Sequence, residues 1–217
     1  WGEWVTSTFM ITNVGIADLD FEVYDWSEIA FDDFEADDGG YTLFTWAGTN
    51  TWEWGIPTQG PAGDGNVWAT SLAGDYPNSS DACIASPVYD LSGYMGGAVE
   101  LDQFIDVESG WDEAYILVTD NGVDWYYVTG WSGTATDWFH YGFTFPGWLA
   151  TAQFQVAFCV YSDGSVVYDG YAVDNVHVMG IPAWKWEDHN FGTVSPDSND
   201  LVEVTLDSFY VPGPGVY

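Results

Sequence analysis

Apolar and polar residues alternate along this chain in short runs, and most runs are bounded by Gly, Pro, Asn, Asp or Ser. A period of two marks a strand with one buried face, because successive side chains point to opposite sides of the sheet. The pattern predicts strands over Tyr41–Trp46, Asn66–Ser71, Ala82–Tyr89, Ala98–Val107, Glu113–Thr119, Trp125–Thr129, His140–Phe145, Gln153–Tyr161 and Tyr171–Met179. No useful length of chain carries an apolar stripe at helical spacing. Many short strands separated by turn residues predict an all-β, two-layer antiparallel sandwich. Asp120-Asn121-Gly122 is expected as a tight hairpin turn, since Asn-Gly readily takes positive φ. Gly180-Ile181-Pro182 is expected as a linker, its Pro ending the strand before it.

The two ends carry the same alternation. Leu201, Val202, Val204 and Leu206 alternate with Glu203, Thr205 and Asp207, ahead of a Pro212-Gly213-Pro214-Gly215 turn and a new start at Val216-Tyr217. At the other end, Trp1 to Tyr24 holds two strand-like runs around Asn13-Val14-Gly15. With the ends joined, Gly192, Thr193, Val194, Pro196, Val202, Val204, Thr205, Gly213 or Gly215, Tyr217, Asn13 and Gly15 follow in order. That string resembles the immunoglobulin-like modules of bacterial and archaeal surface proteins. The resemblance implies that residues 1–30 are the C-terminal half of such a sandwich and residues 181–217 its N-terminal half. A neighbouring chain or repeat would then complete it, through Trp1, Trp4, Phe9, Ile11, Val202, Val204, Leu206, Val216 and Tyr217. The alternative is two unrelated ends.

The central block, residues 31–180, resembles the jelly-roll modules of the MAM type and their bacterial relatives beside secreted peptidases. The residues that carry the likeness are Phe34-Glu35, Gly65 to Thr70, Asp81 to Leu91 with its Ser86-Pro87 and Asp90-Leu91, Trp111 to Trp125, and Asp169 to Val176. The resemblance implies a structural calcium between the first and last strands, held by Glu35 and Asp174, with Asn175 where the family prefers a second Asp. Asp37 and Asp38 stand close enough in sequence to add ligands, and calcium takes six to eight oxygens of this kind. The other reading is that these carboxylates simply face water.

Composition narrows the choice. Hydrophobic residues at 47% and aromatic residues at 19% are enough for a substantial core. One Lys (Lys185) and no Arg stand against 34 acidic residues, for a net charge of −33. Nucleic acid and anionic membrane surfaces are thereby excluded as partners, because both need cations on the protein. Self-repulsion on this scale calls for salt or divalent cations. No apolar run is long enough to span a bilayer. The start at Trp1 has no signal-peptide pattern, so an exported protein would be represented by its mature part.

Cys83 and Cys159 fall in separate predicted strands. They form one disulfide, worth about 4–5 kcal/mol in the chain-entropy model, or two buried thiols. His140, His177 and His189 are isolated, and no H-E-x-x-H or G-x-S-x-G motif occurs, so no catalytic residues are assigned and the chain is not expected to be an enzyme. Trp46, Trp52, Trp54, Trp131, Trp138 and Trp148 lie in or near turns, where they either cap the sandwich or stack on sugars. Asn78-Ser79-Ser80 is a glycosylation sequon, with Asn78 as acceptor. The function expected from these features is a non-enzymatic subunit or repeat of an extracellular filament, surface fibre or adhesin, joined to copies of itself. The alternative is a carbohydrate-binding accessory module of a secreted hydrolase or peptidase, with glycans as partners.

Overall fold

The structure, a computed structural model, describes residues 4–13, 19–22, 26–60, 65–135, 137–182, 191–194 and 198–207. The chain forms two units, Glu28–Gly180 and, separately, Trp1–Ser27 with Ile181–Tyr217.

The larger unit is a two-sheet antiparallel sandwich of jelly-roll type, and no helix occurs among the described residues. One sheet holds β4 (Thr42–Ala47), β7 (Asp81–Ala85), β9 (Glu113–Thr119), β10 (Trp125–Trp131) and β12 (Gln155–Tyr161), in the order β10-β9-β12-β7-β4. The other holds β5 (Glu53–Gly55), β6 (Val67–Ala69), β8 (Tyr94–Asp106), β11 (Phe139–Pro146) and β13 (Gly170–Pro182), in the order β11-β8-β13-β6-β5, and β3 (Ser27–Asp32) pairs with β13. Strands β3 and β5 escape the periodicity because they are short and mostly exposed on at least one face.

Alternation sorts side chains between the core and the outer faces. Ala82 and Ile84, Ala114, Ile116 and Val118, and Val156, Phe158 and Val160 meet Val99, Leu101 and Ile105 of β8 and Tyr171, Val173, Val176 and Val178 of β13 in one core. On β13 the inward set changes from odd to even numbers across Asp174-Asn175, where Asn175 has a φ of 49°. An added residue in positive φ shifts the alternation by one. Gly180, Ile181 and Pro182 continue β13 rather than forming a linker. Proline is tolerated there because it ends the strand, where a missing N–H costs little.

The β9–β10 hairpin also differs from expectation. Its loop runs over residues 120–124, and only Gly122, at 71°, takes positive φ. Asn121 works instead through its side chain, whose Oδ1 accepts the N–H groups of Val123 and Asp124 at 2.8 Å each. A side-chain cap of this kind substitutes for the two-residue turn.

In the smaller unit, β1 (Trp4–Asn13) pairs with β15 (Ser198–Asp207), and β2 (Leu19–Glu22) pairs with β14 (Phe191–Val194), both antiparallel. The register sets Val5 opposite Leu206, Ser7 opposite Val204, and Phe9 opposite Val202. The two ends thus pair with each other within one chain, in two ladders of two strands each, every strand giving one edge of N–H and C=O groups to its partner. Of the expected interface residues, Trp4, Phe9, Ile11, Val202, Val204 and Leu206 lie on these paired strands, whereas Trp1, Val216 and Tyr217 lie outside the described residues.

Candidate ligand-binding face

The outer face of the five-stranded sheet is apolar, which is unusual for a face turned away from the core. Cys83 and Ala85 of β7, Ala157 and Cys159 of β12, and Tyr115 and Leu117 of β9 form a second buried cluster there. Register explains it: Phe44, Cys83, Cys159 and Tyr115 stand side by side across four strands, and Ala85, Ala157 and Leu117 form the next outward row. Cys83 and Cys159 are joined as a disulfide, with their Cα atoms 4.1 Å apart. The floor is thus made of small side chains and a sulfur bridge.

Aromatic rings from the two edge strands close over this floor. Phe44 of β4 and Trp125 of β10 stack with centroids 5.2 Å apart and planes at 19°. Trp46 meets Phe44 edge-on at 5.5 Å and remains 55% exposed. On a flat sheet β4 and β10 would be about 19 Å apart, at four strand spacings. Direct contact between their rings therefore requires the face to curl into a trough. Beside the stacked pair lies an open hollow of about 620 Å³, lined by Trp46, Asp81, Tyr115, Leu117, Asp124 and Trp125 among others.

The polar groups of the hollow are held in place. Asp81 accepts the Tyr115 hydroxyl at 2.5 Å, and burial, then the bond to Asp81 and its charge, push that hydroxyl far above the usual tyrosine range. Next to it, Tyr127 donates to Glu113 at 2.6 Å, and burial and that bond push Tyr127 up to about 12. Both tyrosines therefore stay protonated at neutral pH and act as the donors of these bonds. Asp124 accepts the Asn121 side-chain amide at 3.0 Å, which fixes the hairpin tip beside Trp125. No Lys or Arg occurs among the described residues. A flat indole with nearby fixed acceptors can stack on a sugar ring and receive its hydroxyl donors.

Among the predicted ligands of calcium, the structure relates two. Burial first, then the charges of Glu35, Asp102 and Asp33, raises the Asp174 carboxyl to about 6, against the opposing hydrogen bond from the Asn175 N–H. Glu35 accepts the Asn66 N–H at 3.1 Å, and Gly65 lies so close to its carboxylate that any Cβ there would collide with it. Phe34, with a φ of 54° and almost fully buried, aims this segment. Asp37 instead accepts the N–H of Gly39 at 3.0 Å in its own turn, as Asp38 does that of Gly40 at 2.9 Å. The Asn175 amide donates to Asp102 at 3.0 Å.

Sequence reasoning misses a further acidic group. Glu108, Asp112 and Asp163 bring carboxylate oxygens within 4.8 Å of one another. Buried Asp112 accepts the Tyr76 hydroxyl at 2.5 Å and the Asp163 N–H at 2.7 Å. No sequence spacing signals it, because Asp163 is brought to the other two by the fold.

The remaining candidates are dispersed. Trp52 is buried, its indole donating to the Ala82 carbonyl at 3.1 Å, and Trp54 donates to that of Phe34 at 3.0 Å. Trp131 packs on the core and Trp138 on the opposite outer face, while Trp148 is exposed against Tyr126. His140 faces Asp102 at 3.1 Å, His177 faces Glu28 at 3.1 Å, and His189 lies outside the described residues. Asn78 is exposed. Trp125, which stacks on Phe44, is absent from the tryptophans picked out by turn position, because it begins a strand.

No family model matches the chain. It is 28% identical over 149 residues, 66% of its length, to Bacillopeptidase F of Bacillus subtilis (strain 168), and this stretch spans 10% of that protein. The K3 cleaved adhesin domain of Lys-gingipain from Porphyromonas gingivalis W83 aligns with a TM-score of 0.47 and 15% identity, over 70% of this chain and 98% of that one. TmCBM61, solved with β-1,4-galactotriose, aligns with a TM-score of 0.48 and 11% identity, over 69% and 94%.

Proposed function

We propose that the chain is a carbohydrate-binding accessory module of an extracellular protein, with the curled face of the five-stranded sheet as its binding surface. The observation that carries this is the exposed face of Trp46 beside the Phe44–Trp125 stack, with Asp81 fixed next to it. An indole left half exposed offers a stacking surface whose burial by a sugar is favourable, and a carboxylate already oriented by a tyrosine loses little entropy on accepting a hydroxyl. The role is binding, with no bond-breaking step assigned to it. An extracellular setting also suits the buried disulfide, which forms and persists where the environment is oxidising. Affinity electrophoresis or calorimetry against a panel of soluble β-glycans tests the proposal. Trp46→Ala should weaken binding by about ten-fold or more. Stability should change by no more than about 1.5 kcal/mol, the order of the edge-on contact with Phe44 that the half-exposed ring makes. Equal affinity of wild type and variant for every glycan bound would refute the assignment.

The calcium site implied by the resemblance is a second element of this proposal. Glu35 and Asp174 fit such an ion in one respect, since a divalent cation would offset the burial and, after it, the charges of Glu35, Asp102 and Asp33 that raise Asp174. Its role would be to tie the segment after β3 to β13. Calcium should stabilise the wild type, by about 2–3 kcal/mol at a hundred-fold excess over Kd. Asp174→Asn should remove that response in a thermal melt. A wild type whose midpoint ignores both calcium and chelator would dispose of the site.

A further inference from the structure

We infer that the hollow is selective for amine-bearing sugars, of the glucosamine-oligomer class, over neutral and acidic ones. The inference rests on the carbohydrate-binding role proposed above and names its substrate class. Two features of the site point to a cation. Indole faces attract positive charge through the ring quadrupole, and Trp46 and Trp125 both line the hollow. Asp81 and Asp124 line it too, and each already has one internal donor, Tyr115 and Asn121 respectively. Neither acid has a basic partner, because the described residues contain no Lys or Arg, and both histidines described are paired with acids elsewhere. Among the described residues no basic side chain faces these carboxylates, and an ammonium group on the ligand supplies the missing cation.

The same features act against acidic sugars. A uronate or sulfated sugar brought to Trp46 would meet two carboxylates and, among the described residues, no cation, within a chain of net charge −33. N-acetylation of the amine would remove the positive charge while leaving the pyranose face that stacks on indole. Neutral sugars thus keep the stacking contribution and lose the ionic one. The outer-face tyrosines Tyr115 and Tyr127 are neutral donors already hydrogen-bonded to Asp81 and Glu113, so they bring no positive charge to an acidic sugar.

Calorimetry on the full chain with defined oligosaccharides tests this. The probes are a glucosamine hexamer, the N-acetylglucosamine hexamer, a neutral β-glucan hexamer and an oligogalacturonate. The deacetylated hexamer should bind about ten-fold tighter than its acetylated counterpart in low salt, the sum of an exposed cation–π contact and a solvent-exposed ion pair. The gap should narrow in high salt, and oligogalacturonate should not bind. The double variant Asp81→Asn with Asp124→Asn should shrink the preference to the few-fold that the cation–π contact alone supplies, and should weaken the neutral hexamer less than the deacetylated one. A control variant, Asp75→Asn with Asp137→Asn, should keep the full preference, because neither residue lines the hollow. Equal loss in both double variants would assign the attraction to the whole molecular charge and overturn the inference. Tighter binding of the acetylated or neutral hexamer would also overturn it, while leaving the carbohydrate-binding role intact. Failure of every sugar to bind would remove that role itself.

Discussion

At the residue scale, Trp46 and Asp174 illustrate two ways in which a local choice departs from the bland expectation for its position. Trp46 lies on an edge strand, where a large aromatic ring gains little by staying half exposed unless something covers it. Asp174 is a carboxylate that burial and three neighbouring acids make costly to ionise. Both are retained next to rigid features, the Phe44 ring for one and the positive-φ Asn175 for the other. Gly65 belongs with Asp174, because its missing side chain makes room for Glu35. The single substitutions at Trp46 and Asp174 therefore have separable readouts, sugar affinity for the first and calcium-dependent melting for the second.

At the element scale, the disulfide links β7 and β12, which already pair through five residues of register. Its contribution comes from the chain between them, with a sequence separation of 76. Replacing both cysteines by Ala should lower stability by about 2–5 kcal/mol, measured as a shift in the denaturation midpoint. An unchanged midpoint would mean that strand pairing alone holds the two segments. Strands β7 and β12 were legible in the sequence because Ile84, Val156 and Phe158 alternate with smaller or polar neighbours, whereas Ile116 of β9 stands between Tyr115 and Leu117 in a continuous apolar run. The apolar outer face was not legible as a site. Ala85, Ala157 and Leu117 look like ordinary strand residues until register sets them side by side, and Phe44 and Trp125 are 81 positions apart in sequence. The ends show the converse. Alternation over Leu201–Asp207 predicts a strand, but no periodicity says which partner it takes, and the partner is β1 of the same chain.

At the scale of the whole molecule, the charge of −33 governs what the aromatic face can meet. It repels acidic polymers before any contact forms and concentrates cations near the surface, an effect that fades with ionic strength. The fold adds shape to that field by curling one sheet until rings from its opposite edges touch. The binding surface proposed here is thus the outer face of a β-sandwich, its floor buttressed by the disulfide. The most direct test follows the indole N–H resonances of the isotope-labelled chain by NMR during titration with a glucosamine hexamer. The account predicts that the Trp46 and Trp125 signals shift together and saturate, while those of Trp52 and Trp68, whose indoles donate to the Ala82 and Asp38 carbonyls, stay in place. Shifts confined to other tryptophans such as Trp111 or Trp148, or no shift at all, would contradict it.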